Sequence, residues 1–121
     1  MSLDDELNEM AQRASLAEAM GGEEKVARQH EFNKLTIRER IAHIADADSF
    51  HEIGKLAGVG EYDDDGNLTH LTPSNFVFGT AEIDDRPVIL SGDDFTVRGG
   101  SADASIAGKR TQAEGLAAEL M

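Results

Sequence analysis

The stretch "NFVFGTAEIDDRPVILSGDDFTVRGGS", Asn75 to Ser101, decides the fold. Two apolar runs rich in aromatic and β-branched residues are joined by Asp-Asp-Arg, which predicts a β-hairpin over residues 75–92. Pro87 has no amide hydrogen for a sheet, so it suits the first position of the second strand. The run Val88-Ile89-Leu90 is apolar without alternation, which predicts a strand covered on both faces.

A glycine turn over residues 98–101 follows the hairpin, and an alanine-rich helix is predicted over 102–120 with Ser101 as its cap. A strand, a turn and a helix form two-thirds of a β-α-β unit, so we expect the chain to be a fragment of a larger subunit. Free amides at such a turn suit an anion, although a purely structural turn is the alternative. Lys109 would lie two turns inside this helix, which argues against a role in phosphate binding.

The N-terminal residues 1–48 are predicted to form a helical arm. Ser2 is placed to cap a first helix, a second helix is predicted from Glu23 towards His30, and "TIRERIAHIAD" begins a third with Thr36 and Glu39 as a capping box. Arg38 and Arg40 lie on this third helix, where plain solvated charge is the alternative to a ligand contact.

Residues 49–121 form the second predicted region. Its beginning, "SFHEIGKLAG", indicates extended or mixed structure with His51 and Glu52 at the surface, and "GEYDDDGNLTHLTPSN" is typical of turns. Glu61, Asp63 and Asp65 have part of the spacing of a calcium loop. The twelfth position is a threonine where a bidentate glutamate is needed, which favours an acidic surface loop.

The composition limits the function. The chain has 121 residues, no cysteine and a formal net charge of −13, which excludes thiolate chemistry and argues against nucleic-acid binding. The acidic start and the absence of a run of about 20 apolar residues favour a cytoplasmic protein outside the membrane. The four histidines have no metal-ligand spacing, so no metal is expected in this chain.

No nucleophile with an adjacent base is identified, so no residue is assigned a catalytic role. Asp93 and Asp94 are adjacent on a strand and point to opposite faces, so they do not form a carboxylate dyad. Asp94 is instead predicted to anchor the turn by hydrogen bonds.

Two segments carry a family resemblance. The run "VARQHEFNKLTIRERIAHIADADSFHEIGKLAG", Val26 to Gly58, resembles a stretch of the type K-L-T-x-R-E-R-I followed by S-F-x-E. The run "GTAEIDDRPVILSGDDFTVRGGSADASIAGK", Gly79 to Lys109, resembles G-x-x-x-I-x-x-R-P-V-x-x-x-x-x-D-F-T-V-x-G-G-S with a trailing G-x-K. In this order, they are similar to the N-terminal part of the carboxyltransferase (β) subunit of biotin-dependent acyl-CoA carboxylases, of the acetyl- or propionyl-CoA carboxylase type.

The resemblance implies an α/β, crotonase-like fold whose first β-β-α unit is preceded by the helical arm. It implies transfer of carboxylate from carboxybiotin, held on a partner carrier protein, to the α-carbon of an acyl-CoA. The family's oxyanion donors lie in later motifs of the S-G-G-A-R kind, so the isolated chain is expected to be inactive. The implied partners are copies of the subunit itself and a biotin carboxylase or biotin carrier subunit.

The same resemblance suggests that a few residues line the acyl-CoA site: Arg98, Gly99, Gly100, Ser101, Arg38 and Arg40. The sequence departs from the family after the glycines, where "SADASIAGKR" is smaller and richer in alanine, so the acyl group is not specified. The alternatives are a non-catalytic assembly or interaction module, and a decarboxylase or transcarboxylase subunit of the same family.

Overall fold

The computed structural model describes residues 2–97, 99 and 108–120. The chain is an α/β protein, and its described residues form three helices followed by five strands and a further helix. The elements are α1 (Leu3–Glu18), α2 (Glu23–Glu31), α3 (Ile37–Ile44), β1 (His51–Ile53), β2 (Gly58–Tyr62), β3 (Leu68–Pro73), β4 (Phe76–Ile83), β5 (Arg86–Asp93) and α4 (Lys109–Leu120).

Local capping chemistry sets the starts of two helices. Ser2 caps α1 in a capping box with Asp5, and Thr36 caps α3 in a capping box with Glu39. Both caps were predicted from the sequence and are confirmed. Gly22, with φ of +100°, immediately precedes α2.

Strands β1, β4 and β5 form one antiparallel sheet with β4 in the centre. Strands β4 and β5 pair where the sequence predicts a hairpin, and the connecting residues Asp84 and Asp85 have φ of +52° and +65°. Two positive φ values suit the right-handed twist of a two-residue hairpin. The Asp46 carboxylate accepts both turn amides, at 3.0 Å from Asp84 and 2.8 Å from Asp85.

The buried strand of this sheet is β4 rather than β5. Phe76, Val77 and Phe78 of β4 are buried, and Phe76 and Phe78 form a core cluster with Ala113 of α4. The prediction that Val88–Leu90 of β5 is covered on both faces is wrong, because these residues are only half-buried. Strand β5 is an edge strand among the described residues, so its outer edge has no neighbouring strand there.

A second hairpin occupies the stretch in which the sequence indicates turns. Strands β2 and β3 pair antiparallel, and only residues 63–67 between them form the turn. Leu68 and Leu71 of β3 are buried, whereas His70 between them is exposed. The concentration of Asp, Gly and Asn near the turn conceals two short strands, whose few apolar residues give little pattern.

Helix α4 begins later than the sequence predicts. Gly108 has φ of +91°, which is not helical, so the predicted helix over 102–120 does not run unbroken through this position. Lys109 is therefore the first residue of α4 rather than a residue two turns inside a helix. Residues 100–107 of the predicted helix and turn lie outside the described residues.

Helix α1 contacts the β2–β3 hairpin directly. The Gln12 side chain of α1 donates to the Leu68 carbonyl at 3.0 Å, and the Arg13 side chain donates to the Tyr62 hydroxyl at 2.9 Å. Within the described part of the chain, no helix has the length and apolar character needed to cross a membrane.

Candidate functional site

The turn after β5 is held by buried polar groups. The Asp94 Oδ1 atom accepts from the Thr96 amide at 2.9 Å and from the Thr96 hydroxyl at 2.6 Å. The Asp94 amide donates to the Asn75 carbonyl at 2.6 Å, which ties the turn to the start of β4. Asp94 and Thr96 are both almost completely buried. The prediction that Asp94 anchors the turn by hydrogen bonds is confirmed.

The connection between α1 and α2 packs onto this turn. The Gly21 amide donates to the Thr96 hydroxyl oxygen at 2.9 Å, so a continuous path of hydrogen bonds runs from Gly21 through Thr96 to Asp94. A Cβ atom at Gly21 would lie 1.8 Å from the Thr96 carbonyl oxygen, so only glycine fits there. This contact places α2 beside the turn.

Gly99 has a different structural requirement. It has φ of +60°, and a Cβ atom there would meet no atom within 4 Å. The backbone conformation favours glycine, whereas the surrounding space is open. A close approach of another backbone is found at Gly21, next to Thr96. Arg98, Gly100 and Ser101 lie outside the described residues, so their role at the acyl-CoA site stays a prediction.

A groove runs between α2, the start of α3 and the turn after β5. It consists of two hollows of about 260 Å³ and about 380 Å³, which share Gln29, Phe95 and Thr96. The smaller hollow is also lined by Lys34 and Arg40, and the larger one by a further set comprising Lys25, Arg28, Phe32 and Gly99. Of the six site residues that the resemblance suggests, the structure places Arg40 and Gly99 in this groove.

The groove carries four exposed cations, which we call the groove cations: Lys25, Arg28, Lys34 and Arg40. None of them forms an ion pair with a residue that the structure describes. The Arg28 guanidinium lies over the Phe32 ring, 5.8 Å from its centroid. Asp93 and Asp94 also line the smaller hollow, whereas the larger hollow has no carboxylate among its described lining residues. In a chain with a net charge of −13, the positive charge of the groove is therefore concentrated in the larger hollow.

Phe95 is the exposed member of an otherwise buried turn. Its side chain is 65% exposed, whereas Asp94, Thr96 and Val97 are each less than 5% exposed. Phe32 on α2 is 63% exposed and lines the same hollow as Phe95. Two exposed aromatic rings beside unpaired cations provide stacking surfaces as well as charge.

Arg38 lies away from this groove. Its guanidinium binds the Glu52 carboxylate with two hydrogen bonds, at 2.6 Å and 3.1 Å, and both side chains are largely buried. Arg38 is therefore not a plain solvated charge; it lines a separate hollow of about 320 Å³, and its place at the acyl-CoA site stays a prediction. Glu52 was expected at the surface, and its side chain is only 9% exposed, so that expectation is wrong.

Lys109 completes a buried charged cluster with Arg38 and Glu52. Its ammonium group donates to the Gly54 carbonyl at 3.1 Å and lies 5.9 Å from the Phe78 ring centroid. Burial lowers the pKa of Lys109 below its usual range, the Glu52 charge opposes that shift, and Arg38 adds to it. These contacts connect α3, β1 and α4 and so support the fold.

A second ion pair fixes α2 relative to α3. The His30 Nε2 atom lies 2.6 Å from the Glu39 carboxylate, and the Thr36 amide donates to the same carboxylate at 2.9 Å. The hydrogen bond from His30 and then that from the Thr36 amide lower the pKa of Glu39 to about 2. This pair holds the groove cations of the two helices on one surface.

The acidic loop that partly resembles a calcium site has a structural arrangement of its own. The Asp63 Oδ1 atom accepts from the amides of Asp65 and Asn67 at 3.0 Å and 2.9 Å. One of its oxygens is therefore engaged in closing the β2–β3 turn. The residues of this loop are exposed, as expected for an acidic surface loop.

Sequence reasoning missed the aromatic and basic side chains of the groove. Lys25, Arg28 and Phe32 follow one another at spacings of three and four residues, which places them on one face of α2 and gives a usable signal. No comparable signal identifies Phe95, because its exposure depends on a turn whose neighbouring residues point inward.

Comparison with known proteins defines the class of the chain. No family model matches it. It is 33% identical over 101 residues to the propionyl-CoA carboxylase carboxyltransferase subunit of Haloferax mediterranei, and 36% identical over 110 residues to the propionyl-CoA carboxylase beta chain of Cereibacter sphaeroides. These matches cover 84% and 87% of this chain. The chain belongs to the family of carboxyltransferase subunits of acyl-CoA carboxylases.

The fold gives the same result. The crystal structure of transcarboxylase 12S, described as a hexamer assembly with methylmalonyl-coenzyme A bound, superposes with a TM-score of 0.76 and 29% identity. The match covers 96% of this chain and 23% of that protein. The chain spans about a fifth of the length of the two propionyl-CoA carboxylase relatives.

Proposed function

We propose that this chain is the opening portion of an acyl-CoA carboxyltransferase subunit with a crotonase-like fold. The proposal rests mainly on the match to transcarboxylase 12S. It covers 96% of this chain but only 23% of that protein. In the complete subunit, carboxylate would pass from carboxybiotin on a partner carrier protein to the α-carbon of an acyl-CoA.

The half-buried edge of β5 supports a larger subunit. Its run Val88–Leu90 is apolar, but among the described residues no strand pairs with its outer side. An apolar edge of this kind is normally paired or covered. A following strand of the same subunit is the cover that we propose.

The proposed contribution of this chain is binding rather than chemistry. The sequence has no S-G-G-A-R motif, from which the family resemblance would draw the oxyanion donors. Donors aimed at a developing enolate charge supply a large part of such catalysis, so the chain alone is expected to be inactive. Copies of the subunit and a biotin carboxylase or carrier subunit are the proposed partners.

Two of the suggested site residues lie in the groove, where they could contact the phosphates of acyl-CoA. Arg40 and Gly99 line the groove, which attracts anions, and we assign the acyl-CoA phosphates to this surface. Arg38 would act indirectly, because its ion pair with Glu52 supports α3. We extend the assignment to Arg98, Gly100 and Ser101 because they adjoin Gly99 in the sequence.

A transcarboxylase or decarboxylase subunit is the second candidate. The chain is 33% identical over 101 residues to the methylmalonyl-CoA carboxyltransferase 12S subunit of Propionibacterium freudenreichii. It is 32% identical over 109 residues to the methylmalonyl-CoA decarboxylase subunit alpha of Veillonella parvula. Both reactions would use the same acyl-CoA surface. The partner subunit would determine which molecule donates or accepts the carboxyl group.

A chimera tests the proposal. The matching 101-residue segment of the Haloferax mediterranei subunit is replaced by the corresponding segment of this chain, and carboxylation of propionyl-CoA is measured. We expect activity from the chimera and none from the 121-residue chain alone. A chimera that assembles like the parent but is inactive would contradict the proposal. A clean, stable oligomer of the isolated chain on size-exclusion chromatography with light scattering would favour the assembly module instead.

A further inference from the structure

We infer that Gly21 and Thr96 are positioning residues for acyl-CoA. Residues 20–22, which we call the α1–α2 link, hold the turn after β5 in the place where that turn meets its ligand. The choice of acyl-CoA rests on the proposed function, whereas the contact between the link and the turn belongs to the described fold.

The α1–α2 link has an uncommon backbone conformation. Met20 has φ of +56° and Gly22 has φ of +100°. A methionine rarely adopts a positive φ, because its Cβ atom then crowds the neighbouring backbone. Such conformations persist where surrounding contacts enforce them, and they occur often at functional sites. The amides of Met20 and Gly22 donate to the end of α1, whereas the Gly21 amide between them donates to the Thr96 hydroxyl oxygen at 2.9 Å. The strained residue thus directly precedes the amide that reaches the turn.

The turn after β5 is held from two sides. On one side, the Asp94 amide donates to the carbonyl of Asn75, a fully buried residue that immediately precedes β4, at 2.6 Å. On the other side, the Gly21 amide binds the Thr96 hydroxyl, which itself donates to the Asp94 Oδ1 atom at 2.6 Å. Connected buried hydrogen bonds make a segment rigid, so the link fixes the position of Thr96 relative to β4.

The link acts on the groove without lining it. Thr96 lines both hollows and Gly99 lines the larger one, whereas Gly21 lines neither. A Cβ atom at Gly21 would lie 1.8 Å from the Thr96 carbonyl oxygen, and real contacts of this kind stay beyond 3.0 Å. An alanine at position 21 would therefore separate the link from the turn by more than about 1 Å, and the walls of both hollows would move with Thr96. Gly21 thus influences a ligand that it does not touch.

Gly21→Ala in the chimeric subunit described above tests the inference through the kinetics of propionyl-CoA carboxylation. We expect the KM for propionyl-CoA to rise at least about 10-fold, since a displacement on the order of 1 Å can cost about 100-fold. The kcat per assembled subunit should be retained, because the proposed oxyanion donors lie outside this chain. A variant that only destabilised the fold would instead reduce the amount of active subunit and leave KM unchanged.

The control for lost stability is Leu68→Ala. Leu68 is buried at the start of β3 and lines neither hollow of the groove. Its truncation leaves a cavity in the core, so the melting temperature should fall while the KM for propionyl-CoA stays that of the unchanged chimera. Equal increases in KM for Leu68→Ala and Gly21→Ala would overturn the inference.

Thr96→Val covers the case in which the Gly21→Ala chimera does not assemble. Valine keeps the shape of threonine but removes the acceptor of the Gly21 amide, so we expect KM to rise about 5-fold. Thr96→Ser retains the hydroxyl and should recover most of that loss. The matched control is Thr69→Val, which removes an exposed hydroxyl that donates to the Glu61 carbonyl at 3.0 Å, and its KM should not change. A KM for Thr96→Ser as high as that for Thr96→Val would overturn the inference, as would an equal increase for Thr69→Val.

Binding of coenzyme A to the chimera, measured by isothermal titration calorimetry, separates this inference from the proposed function. An active chimera whose KM is insensitive to both Gly21→Ala and Thr96→Val overturns the inference and leaves the proposed function intact. An inactive chimera that assembles like the parent contradicts the proposed function. If coenzyme A then binds more weakly to Thr96→Val than to Thr96→Ser, the positioning role is supported, and equal affinities overturn it. A chimera that neither carboxylates propionyl-CoA nor binds coenzyme A overturns both.

Discussion

The two sets of cations in this chain differ in what surrounds them. Arg38 and Lys109 are both largely buried: Arg38 pairs with the Glu52 carboxylate, and Lys109 donates to the Gly54 carbonyl within reach of the Glu52 charge. The four groove cations are exposed, and within residues 2–97, 99 and 108–120 they have no ion pair. The difference indicates that the first set stabilises the fold, whereas the second remains available to a ligand. Substitutions should therefore separate the sets by stability and by binding.

The largest expected effect on stability comes from Arg38→Met. It leaves the buried Glu52 carboxylate without its two-point partner, which costs about 3 kcal/mol of unfolding free energy. The control is Arg40→Met, two residues further along α3 at an exposed position, with an expected change within about 0.5 kcal/mol. Urea unfolding followed by circular dichroism measures both. Equal losses would remove the distinction between buried and groove cations.

Thr96→Val should have the next largest effect. Valine keeps the shape of threonine but deprives Asp94 of a hydroxyl donor and the Gly21 amide of its acceptor. We expect a loss of about 2 kcal/mol in unfolding free energy, because both affected groups lie in or beside the buried turn. Thr111→Val, at an exposed position of α4, serves as the control and should change stability by less than about 0.5 kcal/mol. Similar unfolding midpoints for the two variants would show that the hydroxyl does not hold the turn.

Lys109→Met should change stability less than Arg38→Met. Burial already disfavours the charged lysine, methionine retains an apolar stem near Phe78, and Glu52 keeps Arg38. The Gly54 carbonyl loses a donor but belongs to an exposed residue, so water replaces it. The expected loss in urea unfolding is below about 1 kcal/mol. A loss as large as that of Arg38→Met would make Lys109 an equal member of the buried cluster.

The smallest effect is a change in pH dependence at the edge of the groove. The pKa of Glu39 is about 2 in the folded chain, against an ordinary value of 4.5. The group binds fewer protons when folded, so its contribution is present above pH 4.5 and is lost as the pH falls towards 2. Glu39→Gln retains an acceptor for Thr36 but has no charge, so its melting temperature should fall less steeply across this range. Glu31→Gln, which changes an exposed position of α2, should follow the unchanged protein, and identical slopes for all three would contradict the assignment.

The sequence predicted the features that depend on neighbouring residues. The cap at Ser2, the capping box at Thr36, the β4–β5 pairing and the anchoring role of Asp94 all follow from short-range chemistry. Motif order identified the family because two long patterns occur in the expected sequence. These patterns involve neighbouring residues or continuous sequence motifs, so they can be recognised without knowledge of the tertiary structure.

The remaining features depend on contacts between distant residues. The Glu52 carboxylate is buried where Arg38 of α3 pairs with it and Lys109 of α4 binds the nearby Gly54 carbonyl, and no periodicity in residues 49–58 indicates this. The prediction for β5 failed because an apolar run indicates burial in a complete sheet, whereas the described sheet ends at β5. The groove arises where Gly21 meets Thr96, two residues that are far apart in the sequence. Its exposed Phe95 has no local signal for the same reason.

The most direct measurement is a ¹⁵N–¹H correlation spectrum of the 121-residue protein titrated with coenzyme A. The account predicts that amide signals of α2 and of residues 95–99 shift progressively, while those near Glu52 and Arg86 remain in place. Shifts confined to the surroundings of Arg86, or the absence of any shift, would contradict the claim that the exposed cations form a ligand site.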